Sequence, residues 1–267
     1  SQLRACCCSR LRMDQQETEW IEAPDGWGDD ATQDESGDSN HVLDIFGNTD
    51  PRESFDYKIK IGKDTKTIVL HGFKLDSDET DRSTGVTLWQ AAPRLSEYLQ
   101  AQPDILLQKR VLEVGAGLGL CGITAHWLGA KEVIMTDGDS HALKQMRANV
   151  NSNCKSATGD GDDVDHSTIT CRQLLWGTAH AQKFLENNGQ QHYDIILGAD
   201  VIYTESSIEP LLDTVACLLQ KPDGRFVLSR HNKWFSIEND MIIELAKKRH
   251  LNCTIDAESE GILIFHW

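Results

Sequence analysis

The chain changes from a strand pattern to a helix pattern at Val111-Leu112-Glu113-Val114-Gly115-Ala116-Gly117-Leu118-Gly119-Leu120-Cys121-Gly122-Ile123. The apolar run before the glycines is typical of a buried parallel strand, and the residues after them have helical spacing. Glycine allows positive φ angles and has no Cβ atom, so backbone amides and the helix N-terminus can approach a ligand closely. This stretch therefore predicts a cofactor-binding loop between a strand and a helix.

The spacing of the glycines argues against a dinucleotide cofactor. The dinucleotide fingerprint G-x-G-x-x-G/A, counted from Gly115, would need a small residue where the chain has Leu120. An acidic residue, Asp137, closes the next predicted strand, twenty-two positions after Gly115. A carboxylate at the end of a second strand can accept hydrogen bonds from ribose hydroxyls. Together, the glycines and Asp137 predict a nucleoside-type cofactor.

Strand and helix patterns alternate along most of the chain after residue 84, which predicts an α/β fold with a mostly parallel sheet. We expect strands at 111–114, 133–136, 167–174, 193–198, 225–229, 252–256 and 261–266, and helices at 89–100, 120–128, 140–151, 208–219 and 237–249. The glycine-rich, acidic residues 155–166 are expected to form a surface insertion. The connection between the last two strands is too short for a crossover helix, so this pair should be antiparallel and lie at an edge.

The residues before the main domain, which we assign to 84–267, divide into two parts. Between Asp14 and Asp56 there are fourteen Asp and Glu residues and one Arg, so this stretch carries −13 of the net charge of −16. We expect residues 1–50 to be an acidic, disordered extension, because they have too little apolar surface to offset chain entropy. Residues 51–83 alternate apolar and polar positions around a turn, which predicts a β-hairpin and a linker. This hairpin could serve as a lid, a substrate platform or a simple cover.

Composition excludes several classes of function. The one compact basic run is Lys247-Lys248-Arg249, so no nucleic-acid partner is expected. No apolar run of about 18 residues is present, so no membrane span is expected. The eight cysteines include the contiguous Cys6 to Cys8 but show no metal-ligand spacing, so no metal site is expected. Reduced thiols would suit a protein of the cytoplasm or the nucleus, and lipidation of the Cys6 to Cys8 cluster stays open.

A second candidate site follows the fourth strand of the predicted sheet, which ends Ile196-Leu197-Gly198-Ala199-Asp200-Val201-Ile202-Tyr203. Ligands bind beyond the carboxyl ends of the strands in an open α/β sheet. Asp200 is therefore expected beside the cofactor loop, with Tyr203 three residues later. An acid at this position could instead cap a helix or bond loop backbone, and that alternative stays open.

These features resemble the class I, seven-strand S-adenosylmethionine-dependent methyltransferases, and within them the protein lysine methyltransferases of methyltransferase family 16. That family is marked by D-x-x-Y after the fourth strand. The resemblance covers residues 84–267 and rests on the glycine motif, Asp137, Asp200-Val201-Ile202-Tyr203, Leu175-Trp176-Gly177 and Trp89-Gln90-Ala91-Ala92. It implies a Rossmann-like seven-stranded mostly parallel sheet with an antiparallel edge strand. It also implies S-adenosylmethionine as cofactor and a protein side-chain nitrogen, foremost that of lysine, as methyl acceptor.

The resemblance also implies roles for individual residues. The cofactor would be bound by Trp89, Glu113, Gly115, Gly117, Gly119, Asp137, Trp176 and Ala199. Methyl transfer from a sulfonium mainly requires alignment, and a carboxylate beside an ammonium favours its charged form. Asp200 is therefore expected to capture and orient the substrate nitrogen rather than act as a strong base, while Tyr203 lines the amine channel. The two tryptophans could instead belong to the core, and Glu113 could instead bond nearby backbone amides.

Other functions remain open at this level. The acceptor could be a histidine, an N-terminal amine or a small molecule, with the same cofactor. A non-catalytic methyltransferase-like module that binds partners through its acidic extension is a further alternative. We expect a monomer with a protein substrate.

Overall fold

The computed structural model describes residues 50–154, 168–231, 237–256 and 259–267. The predictions for the acidic extension, the Cys6 to Cys8 cluster and the insertion at 155–166 lie outside these residues, apart from Asp50. The described residues from Pro51 to Trp267 pack together as one unit that contains both the predicted hairpin and the predicted sheet. Within the part of the chain described, no helix is long and apolar enough to span a membrane.

The predicted strands and helices are present, and none of their ends differs from the prediction by more than three residues. The described strands are β1 (Arg52–Ile61), β2 (Asp64–Phe73), β3 (Arg110–Glu113), β4 (Glu132–Asp137), β5 (Ile169–Gln173), β6 (Ile195–Ala199), β7 (Arg225–Ser229), β8 (Asn252–Ile255) and β9 (Ile262–His266). The described helices are α1 (Asp78–Arg82), α2 (Ala91–Ala101), α3 (Leu120–Trp127), α4 (Ser140–Cys154), α5 (Thr178–Asn187), α6 (Ile208–Leu218) and α7 (Asn239–Lys247).

Helices α1 and α5 were not indicated by the sequence pattern. The first has only five residues and begins where the Ser77 hydroxyl accepts a hydrogen bond from the Thr80 amide. The second buries only Ala181, Phe184 and Leu185. Three buried positions in a polar segment give too weak a period to predict a helix.

The main sheet has seven strands in the order β5-β4-β3-β6-β7-β9-β8. Strands β3 to β7 are parallel, whereas β9 runs antiparallel to both of its neighbours. The predicted mostly parallel sheet and the antiparallel strand pair at one edge are confirmed, with β9 lying between β7 and β8. The strand order reverses between β3 and β6, which is where an open α/β sheet forms its ligand crevice.

The hydrophobic core lies on both faces of this sheet. Neighbouring residues of β3 belong to different clusters: Val111 packs with residues of α2, α3 and α4, and Leu112 packs with residues of α5, α6 and α7. This alternation is the period of two that a strand buried on both faces requires.

The predicted hairpin is confirmed as the antiparallel pair of β1 and β2, in register from Arg52 with Phe73 to Ile61 with Asp64. Its inner face is buried through Ile59, Ile68 and Leu70, in the same cluster as α2 and α3. One edge is bonded to α2, since the Lys60 amide donates to Gln100 Oε1 at 2.8 Å. The other edge is bonded to α4. Because both edges of the hairpin are bonded to helices, the structure favours a simple cover over the lid and the substrate platform.

Candidate active site

The glycine loop, residues 114–119, lies over the end of β3 and is bonded to both neighbouring strands. The Val114 amide donates to the Leu197 carbonyl of β6 at 2.9 Å, and the Ala116 amide donates to the Thr136 carbonyl of β4 at 2.8 Å. The three glycines have φ angles of 60°, 52° and 91° at 115, 117 and 119, in the left-handed region that favours glycine. The loop therefore follows a path that other residues would strain.

The missing Cβ atoms of this loop make room for protein as well as for a ligand. A Cβ atom at Gly117 would lie 3.1 Å from the Gly85 carbonyl oxygen. Gly85 belongs to residues 84–89, which we call the strap, because this segment crosses the glycine loop. Trp89 closes the strap on itself by donating from Nε1 to the Thr84 carbonyl at 2.7 Å. Trp89 is thus half-buried at the start of α2, with its indole nitrogen satisfied by the strap.

Asp137 ends β4 and holds the glycine loop from the side. Its Oδ2 accepts from the Gly117 amide at 3.1 Å, and its Oδ1 accepts from the Asp139 amide at 3.0 Å. Burial raises the pKa of this carboxyl group, and the backbone amides act against that shift. A carboxylate has about four lone-pair sites, so Asp137 can still accept from a hydroxyl group.

Glu113 lies beneath the loop rather than in its opening. The residue is 2% exposed, and its Oε2 accepts from the Gly122 amide of α3 at 2.7 Å. Burial raises the pKa of Glu113 to about 8, although the hydrogen bonds from Gly122 and Cys121 lower it. This geometry favours the alternative in which Glu113 bonds nearby backbone over direct contact with a cofactor.

Trp176 and the end of β6 line the other side of the loop. A Cβ atom added at Gly115 would lie 2.7 Å from Val201 Cγ1 and 3.4 Å from Trp176 Cζ2. The half-buried Trp176 ring is therefore beside the glycine loop, where it can also pack against the core. Ala199 ends β6 opposite Ser229 of β7, one residue before Asp200.

Asp200 links two distant segments through its carboxylate. Its Oδ2 accepts from the Ala91 amide at the start of α2 at 3.0 Å, and its Oδ1 accepts from the His231 amide after β7 at 2.7 Å. Its backbone has a φ of 51°, an uncommon conformation for a residue other than glycine. Such outliers concentrate at functional sites. The structure thus gives Asp200 the backbone-bonding role left open above, in a position adjacent to the glycine loop.

Tyr203 follows β6 at the same edge of the sheet as Asp200 and is 38% exposed. Burial raises the pKa of its hydroxyl, and the negative charge of Asp137 raises it further. The phenol therefore lies within electrostatic range of the carboxylate that holds the glycine loop.

The sequence interpretation missed Arg230, which directly follows β7. The residue is 4% exposed, and its guanidinium donates to Asn239 Oδ1 at 2.5 Å and to the Ile237 carbonyl at 2.9 Å. Burial lowers its pKa, whereas the negative charges of Asp200 and Glu238 raise it. The signal that drew attention to Asp200, a charged residue at the carboxyl end of a parallel strand, applies equally to Arg230.

The structure brings most of the expected residues to one edge of the sheet. The three glycines, Asp137, Trp176, Ala199, Asp200 and Tyr203 lie at the ends of β3, β4 and β6 or in the segments that follow β5 and β6, whereas Glu113 lies under α3. In the described ranges, no group of three or more His, Cys, Asp or Glu residues is arranged to hold a metal ion. The buried Cys121 thiol has a raised pKa, chiefly from burial, which suits packing rather than nucleophilic chemistry.

Comparison with known proteins shows which family the chain resembles. A family model described as lysine methyltransferase matches residues 71–248. The protein N-lysine methyltransferase METTL21A of Danio rerio is 34% identical over 149 residues, 56% of this chain and 62% of that protein. METTL21A of Xenopus tropicalis is 37% identical, over 55% of this chain and 60% of that protein. The protein N-terminal and lysine N-methyltransferase efm7 of Neurospora crassa is 28% identical, over 61% and 60% respectively. The chain spans about three fifths of the length of these relatives.

Proposed function

The chain belongs to the lysine methyltransferase family, and from that membership we propose that it transfers a methyl group from S-adenosylmethionine to a lysine side chain of a protein. One observation carries the proposal: Val201, the neighbour of Asp200, packs against Gly115 of the glycine loop. The cofactor loop and the candidate acceptor residue are therefore adjacent. In-line transfer between two substrates requires such proximity.

The residues of the donor side suit S-adenosylmethionine. This cofactor supplies a methyl group on a positively charged sulfonium. The glycine loop would hold the cofactor through its backbone, and Asp137, whose carboxylate keeps free lone pairs, would accept from the ribose hydroxyls. Trp176, beside Gly115, would flank the adenine ring.

On the acceptor side, Asp200 would both fix the backbone and receive the substrate nitrogen. Each of its oxygens accepts one backbone amide, which leaves lone pairs for an ammonium group. Because a carboxylate favours the charged form of a neighbouring amine, Asp200 would orient the nitrogen while the proton leaves to water. Tyr203 would form the wall of the amine channel with its ring and hydroxyl.

An N-terminal amine is a second candidate acceptor. The efm7 relative is named for both N-terminal and lysine methylation. Both acceptors are primary amines, so the same alignment by Asp200 would serve either one. Mapping of the methylated position separates these two candidates.

The test compares the purified protein with its Asp200→Ala variant, using radiolabelled S-adenosylmethionine and a lysate that lacks this enzyme. We expect a discrete labelled protein band that is reduced at least ~100-fold in the variant, because misplaced reactants lose that much rate. Cofactor affinity, measured by calorimetry, should stay within about threefold, since Asp200 is not on the donor side. Asp223→Ala, which removes an exposed carboxylate in a turn remote from this edge, is the matched control.

Each other outcome contradicts a separate part of the proposal. Full transfer by Asp200→Ala would remove the role given to Asp200. Cofactor binding without a labelled protein would favour a small-molecule acceptor. A protein that does not bind S-adenosylmethionine at all would favour the non-catalytic binding module.

A further inference from the structure

Two asparagines of α4 bond to the outer edge of the hairpin. Asn149 accepts from the His71 amide at 2.9 Å and donates to the His71 carbonyl at 3.1 Å. Asn153 repeats this pattern with the amide and carbonyl of Val69, both at 2.9 Å. Each side-chain amide thus pairs with both backbone groups of one strand residue.

The spacing of the two elements explains why this pairing can be repeated. Residues four apart in a helix are separated by about 6 Å along its axis. Residues two apart in a strand are separated by about 6.6 Å. The two asparagines therefore have the same spacing as His71 and Val69 along β2. Their side-chain amides form the hydrogen bonds that a neighbouring strand would otherwise form with this edge.

Only the first of the two asparagines also contacts the glycine loop. The second Nδ2 hydrogen of Asn149 is donated to the Leu118 carbonyl at 3.1 Å, and Asn149 is fully buried. Asn153 is half-buried and donates instead to the Asn149 carbonyl at 2.7 Å. The two residues thus make the same pair of bonds to β2 and differ in their third partner and in their burial.

The strap meets the hairpin and the glycine loop at the same place. A Cβ atom added at Gly72, the neighbour of His71, would lie 2.6 Å from the Val86 carbonyl oxygen and 2.8 Å from Leu118 Cδ1. Gly72 of β2 therefore packs against both the strap and the glycine loop. Asn149 is the polar side chain that joins β2 to the loop at this junction.

We propose that Asn149 is a positioning residue for the methyl donor. It fixes the Leu118 carbonyl, and with it the path of the glycine loop, against the hairpin. Its contribution falls on donor affinity rather than on the rate of transfer, because its bonds are to β2 and to the glycine loop and not to Asp200 or Tyr203. The proposal rests on the proposed function for the identity of the donor.

The experiment compares Asn149→Leu with Asn153→Leu, since leucine resembles asparagine in size but forms no hydrogen bonds. Both variants lose two bonds to β2, so their melting temperatures without ligand should fall together. Asn149→Leu should weaken S-adenosylmethionine binding about tenfold by calorimetry, as expected when a buried hydrogen bond is lost, with kcat within about twofold of wild type. Asn153→Leu should change the dissociation constant less than about twofold.

A second measurement uses the wild-type protein, in case Asn149→Leu does not fold. Hydrogen exchange of the His71 amide, held by Asn149, should slow when S-adenosylmethionine binds, because the bound loop fixes Asn149. Exchange of the Val69 amide, held by Asn153, should change much less. Equal responses of the two amides would overturn the inference.

The inference is also overturned if both variants weaken binding equally, or if Asn149→Leu lowers the melting temperature and leaves the dissociation constant unchanged. In both of those results the wild-type protein binds S-adenosylmethionine, and the proposed function stands. A wild-type protein that does not bind the donor overturns the proposed function itself, and the inference with it.

Discussion

The proposed donor side and the proposed acceptor side of the site are held by the same kind of bond over very different spans of sequence. On the donor side, Glu113 and Asp137 accept from the amides of Gly122 and Gly117, nine and twenty residues away. On the acceptor side, Asp200 accepts from amides 109 and 31 residues away. A carboxylate at the end of a strand, or directly after it, accepts backbone amides in every case. The carboxylates of the donor side join elements that are close in the sequence, whereas Asp200 joins segments that are far apart.

This difference separates the two sides in their expected responses to mutation. The donor side is a local unit of strand, loop and helix, so a change there should act on cofactor affinity. The acceptor side is an assembly of α2, β6 and the segment after β7, so a change there should act on the protein substrate. Variants that affect both sides alike would contradict the comparison.

The largest effect is expected from Gly117→Arg on the donor side. Gly117 has a φ of 52°, and even a Cβ atom there would lie 3.1 Å from the strap, so an arginine has no space. We expect affinity for S-adenosylmethionine to fall more than ~100-fold in calorimetry. Gly62→Arg is the control, because Gly62 has a φ of 60° but no atom within 4 Å of its Cβ position. Equal loss in both variants would mean that backbone strain, not contact with the strap, is responsible.

An intermediate effect is expected from Arg230→Lys on the acceptor side. The guanidinium bonds Ile237 and Asn239 from two different nitrogens, and a lysine ammonium cannot reproduce that fork. We expect the KM for the protein substrate to rise about tenfold while cofactor affinity stays within about twofold. Arg225→Lys changes an exposed arginine at the start of β7, the strand that Arg230 follows, and should leave both constants unchanged. If Arg230→Lys also lowered cofactor affinity about tenfold, the two sides would not respond separately to mutation, and the comparison would be contradicted.

The smallest effect on transfer is expected from Glu113→Gln. This variant tests the buried carboxyl group that bonds the Gly122 amide, and the quantity measured is the free energy of unfolding as a function of pH. Burial raises the pKa of Glu113 from 4.5 to about 8, so the folded protein keeps a proton that the unfolded chain releases. The free energy of unfolding should therefore fall as pH rises between about 4.5 and 8, by up to about 1.4 kcal/mol per pH unit. Glutamine can still accept from Gly122 but does not titrate, so this slope should disappear in denaturant unfolding from pH 5 to 8. Parallel pH profiles for the two proteins would contradict the buried, protonated state.

The glycine loop and the carboxylates that hold it could be predicted from the sequence because the contacts between them are local. The β3 strand, the three glycines and Asp137 lie within 28 residues, and each follows from strand or helix periodicity. The face of the sheet to which the Glu113 side chain points could also be predicted. Glu113 lies two residues after Val111 in the same strand, so both side chains point to the face that α3 covers.

The acceptor side was predicted only in part, since its contacts depend on which strands become neighbours. A charged residue after a parallel strand singled out Asp200, but nothing near it indicates Ala91 or His231 as partners. The same limit applies to Asn149, whose partners are 78 and 31 residues away. Such contacts follow from the strand order and from the packing of the hairpin against α4, which local patterns do not encode.

The bond between Asp200 and Ala91 also bears on the order in which a new chain can assemble. Helix α2 has no capping side chain at Gln90, and the Ala91 amide is satisfied by a residue 109 positions later. Chains are made from the N-terminus, so α2 and the glycine loop emerge before the carboxylate that completes the helix start. We therefore expect the start of α2 to stay frayed in the nascent protein until β6 joins the sheet and brings Asp200 to it.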